Sequence, residues 1–375
     1  MNIKRQTTNI DVECSVFVFI QRWTFDVRCW TFVLQTKTVW QTPDMTEPPI
    51  DRREFLTRCT QAGLSVAAAG ALGIGFYDGK APAALSETTE TVEIPDFSIA
   101  EMSGKICIAR GTAQGMDRAG TVRQAFDALG GMKAFVKPGE RVLLKVNAAF
   151  ASPPALGATS HPDLVAAVVR LCLDAGASRV IVTDNPINDP ASCFALTGID
   201  AAARLAGAEV VIPRESLFQH FSVSGGRLIR DWPVLYAPLA RVDRIIGMAP
   251  VKDHHRSGAS MTLKNWYGLL GGRRNIFHQD IHTIIQELAM MIKPTVVVLD
   301  GTQSMMSNGP TGGSLSDLKP TGTLIVSTDP VAADAVGATL LGRTATDLPF
   351  IAKAESVGAG TADYRSLYLK EIQAS

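Results

Sequence analysis

The sequence predicts an α/β fold: a mostly parallel, mixed central sheet with helices on both faces and one short antiparallel hairpin excursion. Three observations carry this expectation. From about Val92 onward, short runs rich in Val and Ile alternate with amphipathic stretches of helical length. Those runs are apolar on both faces, as strands buried in a parallel sheet are. The joints between helix and strand close repeatedly on Gly or Pro, residues that stop helices.

Taken in order, "TVRQAFDALGG" reads as a helix ending at Gly130, followed by the turn "KPGE" and the strand "RVLLKVN". "HPDLVAAVVRLCLDAGA" puts Pro162 in a first helical turn, where its missing N–H costs nothing, and stops at Gly176. The strand "RVIVTD" follows, and "DAAARLAGAEVVIP" repeats the scheme with Gly207 as stop and Pro213 as strand end. "FSVSGGRLIRDWPVLYAPL" breaks the pattern and reads as the hairpin, with Gly225-Gly226 as its turn. "RVDRIIGMAP" is a further strand; "IHTIIQELAMMIKPTVVVLDG" gives helix, Lys-Pro break and strand; "GTLIVSTDPVAADAVGATLLG" gives strand and then helix. Between the last two lies the long connection 300–322, of a length usually functional or disordered. Its run from Asn308 to Gly313 is able to turn several N–H groups toward one anion, or to form a plain surface loop.

The chain has 375 residues and balances 36 Lys and Arg against 36 Asp and Glu. That neutrality argues against nucleic acid as partner, which leaves a basic excess. No apolar run reaches the roughly 18 residues of an ordinary membrane span. Arg52-Arg53, with Phe55 and Leu56 close behind, precede an Ala/Gly-rich stretch and a small-residue Ala81-Pro82-Ala83 site. This is the layout of a twin-arginine export signal. It implies a bacterial protein carried folded by the twin-arginine machinery to a periplasmic or other extracytoplasmic location, membrane-anchored if the signal stays uncleaved. Residues 1–44, with Trp23, Trp30 and Trp40, precede a signal that belongs near the start, and translation from Met45 would restore that place. They read as a non-native upstream extension, or alternatively as a β-rich arm. Residues 45–91 are then signal and linker, and 92–375 a single α/β domain. The domain's cysteines, Cys107, Cys172 and Cys193, lie far apart, so local spacing builds neither a zinc ribbon nor an iron–sulfur cluster.

In open α/β sheets ligands bind beyond the carboxyl ends of the strands. Here "LLKVN" delivers Lys145 and Asn147, "VIVTDN" Asp184, "IIGMAPVKDHH" Lys252 and His254, "VVVLDG" Asp300, and "LIVSTDP" Asp329. The stretch 251–278 adds Lys264, Asn265, Arg273 and His278. Polar residues end strands in any fold; Lys and His facing so many aspartates is less ordinary. Lys145, Asn147, Lys252, Lys264, Asn265, Arg273 and Gly309 are candidates to hold an anion. Aspartates in the same pocket would repel that ligand unless a divalent metal takes carboxylates and anion together. Asp184, His254, His278, Asp300 and Asp329 are the candidate ligands of such a metal, and His254, His278, Asp184 and Asp300 the candidate catalytic groups. His278 and His282 lie four apart, as in zinc metallopeptidases, but Gln279 stands where those enzymes need a glutamate. Trp266 and Tyr267 wall the site or pack beneath it.

The motifs "KVN", "TSHPDLVAAVV", "LDAGASRVIVTDNP", "APVKDHH", "TLKNWYGLLGG", "LDGTQSMMSNGPTGG" and "STDPVAADAVGATLLG" occur in an order that resembles domain of unknown function family 362, over roughly Gly104 to Gly360. Among the candidate site positions all but Arg273 match recurrent positions of that family, as do Thr159, Pro162, Gly268, Pro310 and Asp334. The resemblance implies the fold more than an activity. Some members resemble iron–sulfur proteins because ferredoxin-type cysteine clusters adjoin the domain, and this chain lacks such a cluster. Three functions therefore stand: an exported, metal-assisted enzyme on a small anionic substrate; a non-catalytic extracytoplasmic binding protein for an anion or metal; and an accessory to a separate redox subunit.

Overall fold

The computed structural model describes residues 92–111 and 116–374, together with Arg53, Leu56, Thr57 and Thr60, which are helical. The expected upstream extension and nearly all of the export signal lie outside the described residues. The chain divides into two compact units, Met1–Leu85 and Ser86–Ser375. The second is the α/β domain.

Its elements run β1 (Lys105–Arg110), α1 (Arg118–Ala128), β2 (Arg141–Lys145), α2 (Pro162–Asp174), β3 (Arg179–Thr183), α3 (Pro190–Leu196), α4 (Ile199–Leu205) and β4 (Glu209–Val211). Then come β5 (Phe218–Phe221), β6 (Trp232–Leu235), β7 (Arg244–His254), β8 (Gly258–Ser260), α5 (Thr262–Asn265) and α6 (Ile281–Met291). The chain closes with β9 (Val296–Met305), β10 (Leu318–Ser327), α7 (Pro330–Leu340), α8 (Pro349–Ser356) and β11 (Tyr368–Gln373). The main sheet has the order β11-β1-β10-β9-β7-β2-β3-β4, with β8 paired to β7. The ladders β9–β7, β7–β2, β2–β3 and β3–β4 are parallel, β10 is antiparallel to both its neighbours, and β1 and β11 are parallel to each other. Along this path, then, β10 alone is reversed. The expected mixed, mostly parallel sheet is the one found.

The strands are apolar on both faces because both faces are covered. On β2, Val142 and Leu144 enter one core with residues of α1, α2 and α4, while Leu143 enters the other with residues of α6, α7 and α8. On β9, Val296 and Val298 face the first core, and Val297 and Leu299 the second. Fully burying each such side chain contributes about 1.5–3 kcal/mol. Helix starts follow the capping rules: the Asp117 carboxylate accepts the N–H groups of Ala119 and Gly120, and His161 Nδ1 accepts that of Asp163 just past Pro162.

Two local expectations change. The hairpin exists as β5 paired with β6, but Gly225-Gly226 sit inside a longer connection, 222–231, not at a two-residue turn. That connection is pinned from α6: the Glu287 carboxylate accepts the N–H groups of Arg227, Leu228 and Ile229 at 2.6, 2.8 and 2.7 Å. The stretch 300–322 is strand at both its ends. β9 continues to Met305 and β10 begins at Leu318, with Met305 opposite Leu318 and Gln303 opposite Pro320. Asp317 closes the remaining turn by accepting from Ser307 Oγ, Asn308 Nδ2 and the Ser314 N–H.

Candidate functional site

From β2 the chain moves outward to β3 and β4, then returns past the hairpin to lay β7 against the opposite side of β2. Strand order reverses there, so a crevice opens between the carboxyl ends of β2 and β7. Buried Lys145, Lys252 and Lys264 meet in it with Asn147, Asp184 and Asn265.

Lys145 ends β2. Its Nζ lies 2.8 Å from Asp184 Oδ1, both groups buried, and donates to the Val146 carbonyl (2.7 Å) and Asn265 Oδ1 (3.1 Å). Asp184, just past β3, also accepts the N–H groups of Ala148 (2.6 Å) and Asn185 (2.9 Å). Asn265, at the end of α5, donates to the carbonyls of Lys145 (3.2 Å) and Met248 (3.0 Å) and accepts from Asn147 Nδ2 (3.2 Å). It thereby ties α5 across β2 and β7. Lys252, on the extension of β7, donates to the Ala158 carbonyl (2.5 Å) and Asn147 Oδ1 (3.4 Å). Lys264 Nζ lies 5.0 Å from the centre of the Tyr267 ring and meets no hydrogen-bond acceptor among the described residues.

Burial pulls Lys252 and Lys264 down to about 7. Lys264 is the next cause for Lys252, and Arg274 for Lys264. Burial also lowers Lys145, against the pull of Asp184.

The imidazoles are fixed in different tautomers, assigned from their partners. His254 Nδ1 accepts the N–H groups of Arg256 and Ser257, both at 3.2 Å, so its proton sits on Nε2. Tyr267 donates its hydroxyl proton to the Arg274 carbonyl, so its oxygen accepts from His278 Nδ1 at 3.1 Å, leaving a lone pair on His278 Nε2. The two rings stack with centroids 5.8 Å apart. Burial first, then Lys264, lowers His254 to about 2 and His278 to about 4, so both are neutral at physiological pH.

Lys145, Asn147, Asp184, Lys252, His254, Lys264, Asn265 and His278 thus line one cavity of about 70 Å³, with Tyr267, Gly268 and Arg274. Asn185, Ile187, Tyr267, Arg274 and His278 also line a neighbouring groove of about 880 Å³, whose far wall includes Phe218, His220 and Pro233 of the hairpin region. Trp266 is buried beneath, while Tyr267 is a wall of the site.

Four expected members stand elsewhere. Asp300 is mid-strand, because β9 runs on to Met305, and it points into the face covered by α1, where Arg118 Nε holds it at 2.9 Å. Asp329 follows β10, whose reversal puts its carboxyl terminus at the opposite end of the strands; there it caps α7 through the Ala332 N–H and accepts from the Thr361 N–H. Arg273 is exposed, and its neighbour Arg274 occupies the site, donating to the carbonyls of Tyr267, Leu270, Asn185 and Pro186. Gly309 packs against the backbone of Asp253, where a Cβ would come within 1.9 Å of the Asp253 carbonyl oxygen, and Pro310 reaches the cavity in its place. His278 and His282 do not share a face. His278 belongs to a 3₁₀ segment ahead of α6, and His282 stacks on Phe350. Consequently no group of three or more His, Cys, Asp or Glu side chains able to hold a metal assembles among the described residues. Of the five expected metal ligands, Asp184, His254 and His278 line the cavity, and Asp300 and Asp329 do not.

Residues 142–339 match the family described as Domain of unknown function (DUF362). The chain belongs to this family. The match runs from β2 through α7 and so contains every wall of the cavity. A thylakoid-associated protein of Synechocystis sp. is 28% identical over 255 residues, covering 64% of this chain and 74% of that protein. A crystal structure of a Thermotoga maritima protein aligns at 10% identity with a TM-score of 0.33, covering 64% of this DUF362 chain and 59% of the other.

Proposed function

We propose that this protein binds a small organic anion, a carboxylate or a phosphate, in the cavity beyond β2 and β7, and that it moves a proton on the bound molecule. One observation carries the reading: Lys145, Lys252, Lys264 and Arg274 line the cavity, and Asp184 is the one carboxylate among its walls. Buried positive charge in excess is costly, and a bound anion offsets it through charge-assisted hydrogen bonds in a desolvated site. The metal first invoked to reconcile an anion with several aspartates is no longer needed, because Asp300 and Asp329 stand elsewhere. His254 offers Nε2–H to an anionic oxygen, and His278 offers the Nε2 lone pair as a base. The groove accommodates the rest of the substrate. The twin-arginine layout supports an extracytoplasmic place of work.

Titration calorimetry of the full chain with inorganic phosphate, acetate and pyruvate tests this. Saturable binding is expected, weakened at least about tenfold, or ~1.4 kcal/mol, by Lys252→Met. No heat with any of the three anions would refute the reading. His278→Gln is expected to keep the binding, since it removes the base and not the charge.

A further inference from the structure

The three amines of the cavity are not held alike. Lys145 has a carboxylate and two further acceptors, and Lys252 has a carbonyl and an amide oxygen, partners that engage their N–H groups. Lys264 is buried too, though at 8% exposure it is more open than those two, and it has only the face of Tyr267. A buried ammonium without acceptors is costly, whereas a buried neutral amine is tolerated and keeps a nucleophilic lone pair.

We propose that Lys264 forms a Schiff base with the carbonyl carbon of an oxo acid whose carboxylate is held by the surrounding cations. The proposal rests on the anion-binding reading and names its substrate class. Burial and Arg274 leave Lys264 titrating near 7, so the free amine is present at neutral pH. Lys264 Nζ and the His278 ring both lie against Tyr267, at 5.0 and 5.2 Å from its centroid. The Nζ lone pair attacks the carbonyl carbon and a C–N bond forms, while the C=O π pair moves to oxygen. His278 Nε2 relays the two amine protons in turn to that oxygen, which departs as water and leaves a C=N bond. Atoms balance as amine plus carbonyl to imine plus water, with no oxidant or reductant. The groove, walled by Ile187, Phe218 and Pro233, gives room for a bulky or aromatic body on the oxo acid.

The test is reductive trapping on the full chain. Pyruvate, 2-oxoglutarate and phenylpyruvate are each added with sodium borohydride, and the protein is weighed intact and mapped by peptide mass spectrometry. One adduct on Lys264 is expected with at least one of the three; it is lost in Lys264→Met, which is checked for folding by its unfolding transition, and is suppressed by inorganic phosphate. No adduct with any of the three overturns the proposal. So does label on Lys252, or label spread evenly over exposed lysines such as Lys133. Phosphate titration of the same preparation separates the two ideas: phosphate binding without an adduct leaves the anion site standing and removes the Schiff base.

Discussion

Gly268 shows how closely single atoms are set around the cavity. A Cβ on it would lie 2.0 Å from Asp184 Oδ1 and 2.8 Å from Lys145 Nζ. Its backbone is not in the left-handed region, so the constraint is space alone. Gly268→Ala must therefore part the Lys145–Asp184 pair, and separating buried charges is expensive because each keeps its desolvation cost. The variant is expected to lose about 3 kcal/mol of stability in urea denaturation and to bind phosphate more weakly. A loss under about 1 kcal/mol would show that 266–270 shifts without disturbing the pair. At this scale the sequence was readable where a polar residue ends or closely follows a short parallel strand, as Lys145, Asn147 and Asp184 do. It was not readable at Arg273 and Arg274. The two are identical and adjacent, and only the 3₁₀ turn decides which one faces inward.

Elements carry the site through their ends, and the hairpin wall of the groove is the clearest case. Its connection 222–231 is held to α6 by Glu287, which satisfies three backbone N–H groups with one carboxylate. Glu287→Ala leaves these donors without a partner, at an expected cost of about 3 kcal/mol, with faster amide exchange confined to 222–231. Unchanged exchange there would mean that Gly225-Gly226 and the β5–β6 pairing fix the loop unaided. Element ends were also where strand-end reasoning failed, for two physical reasons. Asp300 precedes a glycine that the strand passes through, so β9 runs on beyond the expected break to Met305. Asp329 ends a strand whose direction no local pattern reports, because an antiparallel strand buried on both faces has the same apolar composition as a parallel one. In the same way, "HQDIH" has helical spacing, yet α6 begins only at Ile281.

At the scale of the molecule, the sheet gathers its buried lysines at one switch point; the alternation of strand and helix pointed to the carboxyl ends of the strands, but the strand order that puts the point between β2 and β7 is written in no local pattern. The net charge of zero hides this concentration, because the balancing acids are elsewhere on the domain. The concentration has a consequence for stability. Lys252 and Lys264 titrate near 7 in the folded protein against an ordinary value of 10.5. Between those values the unfolded chain binds more protons, so stability rises with pH there and is lowest once both lysines are charged. The histidines act below this range: with folded values of about 2 and 4 against 6.5, His254 and His278 contribute stability that is present above 6.5 and lost as pH falls. Asp334, raised to about 7 by burial, favours the folded state at lower pH and has nearly finished titrating above that value. The thiols of Cys107, Cys172 and Cys193, all pushed up by burial, bend the curve downward near their ordinary value of 9. This leaves a window of about pH 7.5 to 8.5, in which ligand-free protein is expected to gain about 2 kcal/mol in urea denaturation. Saturating phosphate should flatten that slope, because a bound anion keeps both lysines protonated and returns them toward 10.5. A ligand-free stability that is level or falling across the window would mean that the lysines are already compensated inside the cavity, and the site would have no excess charge with which to attract an anion.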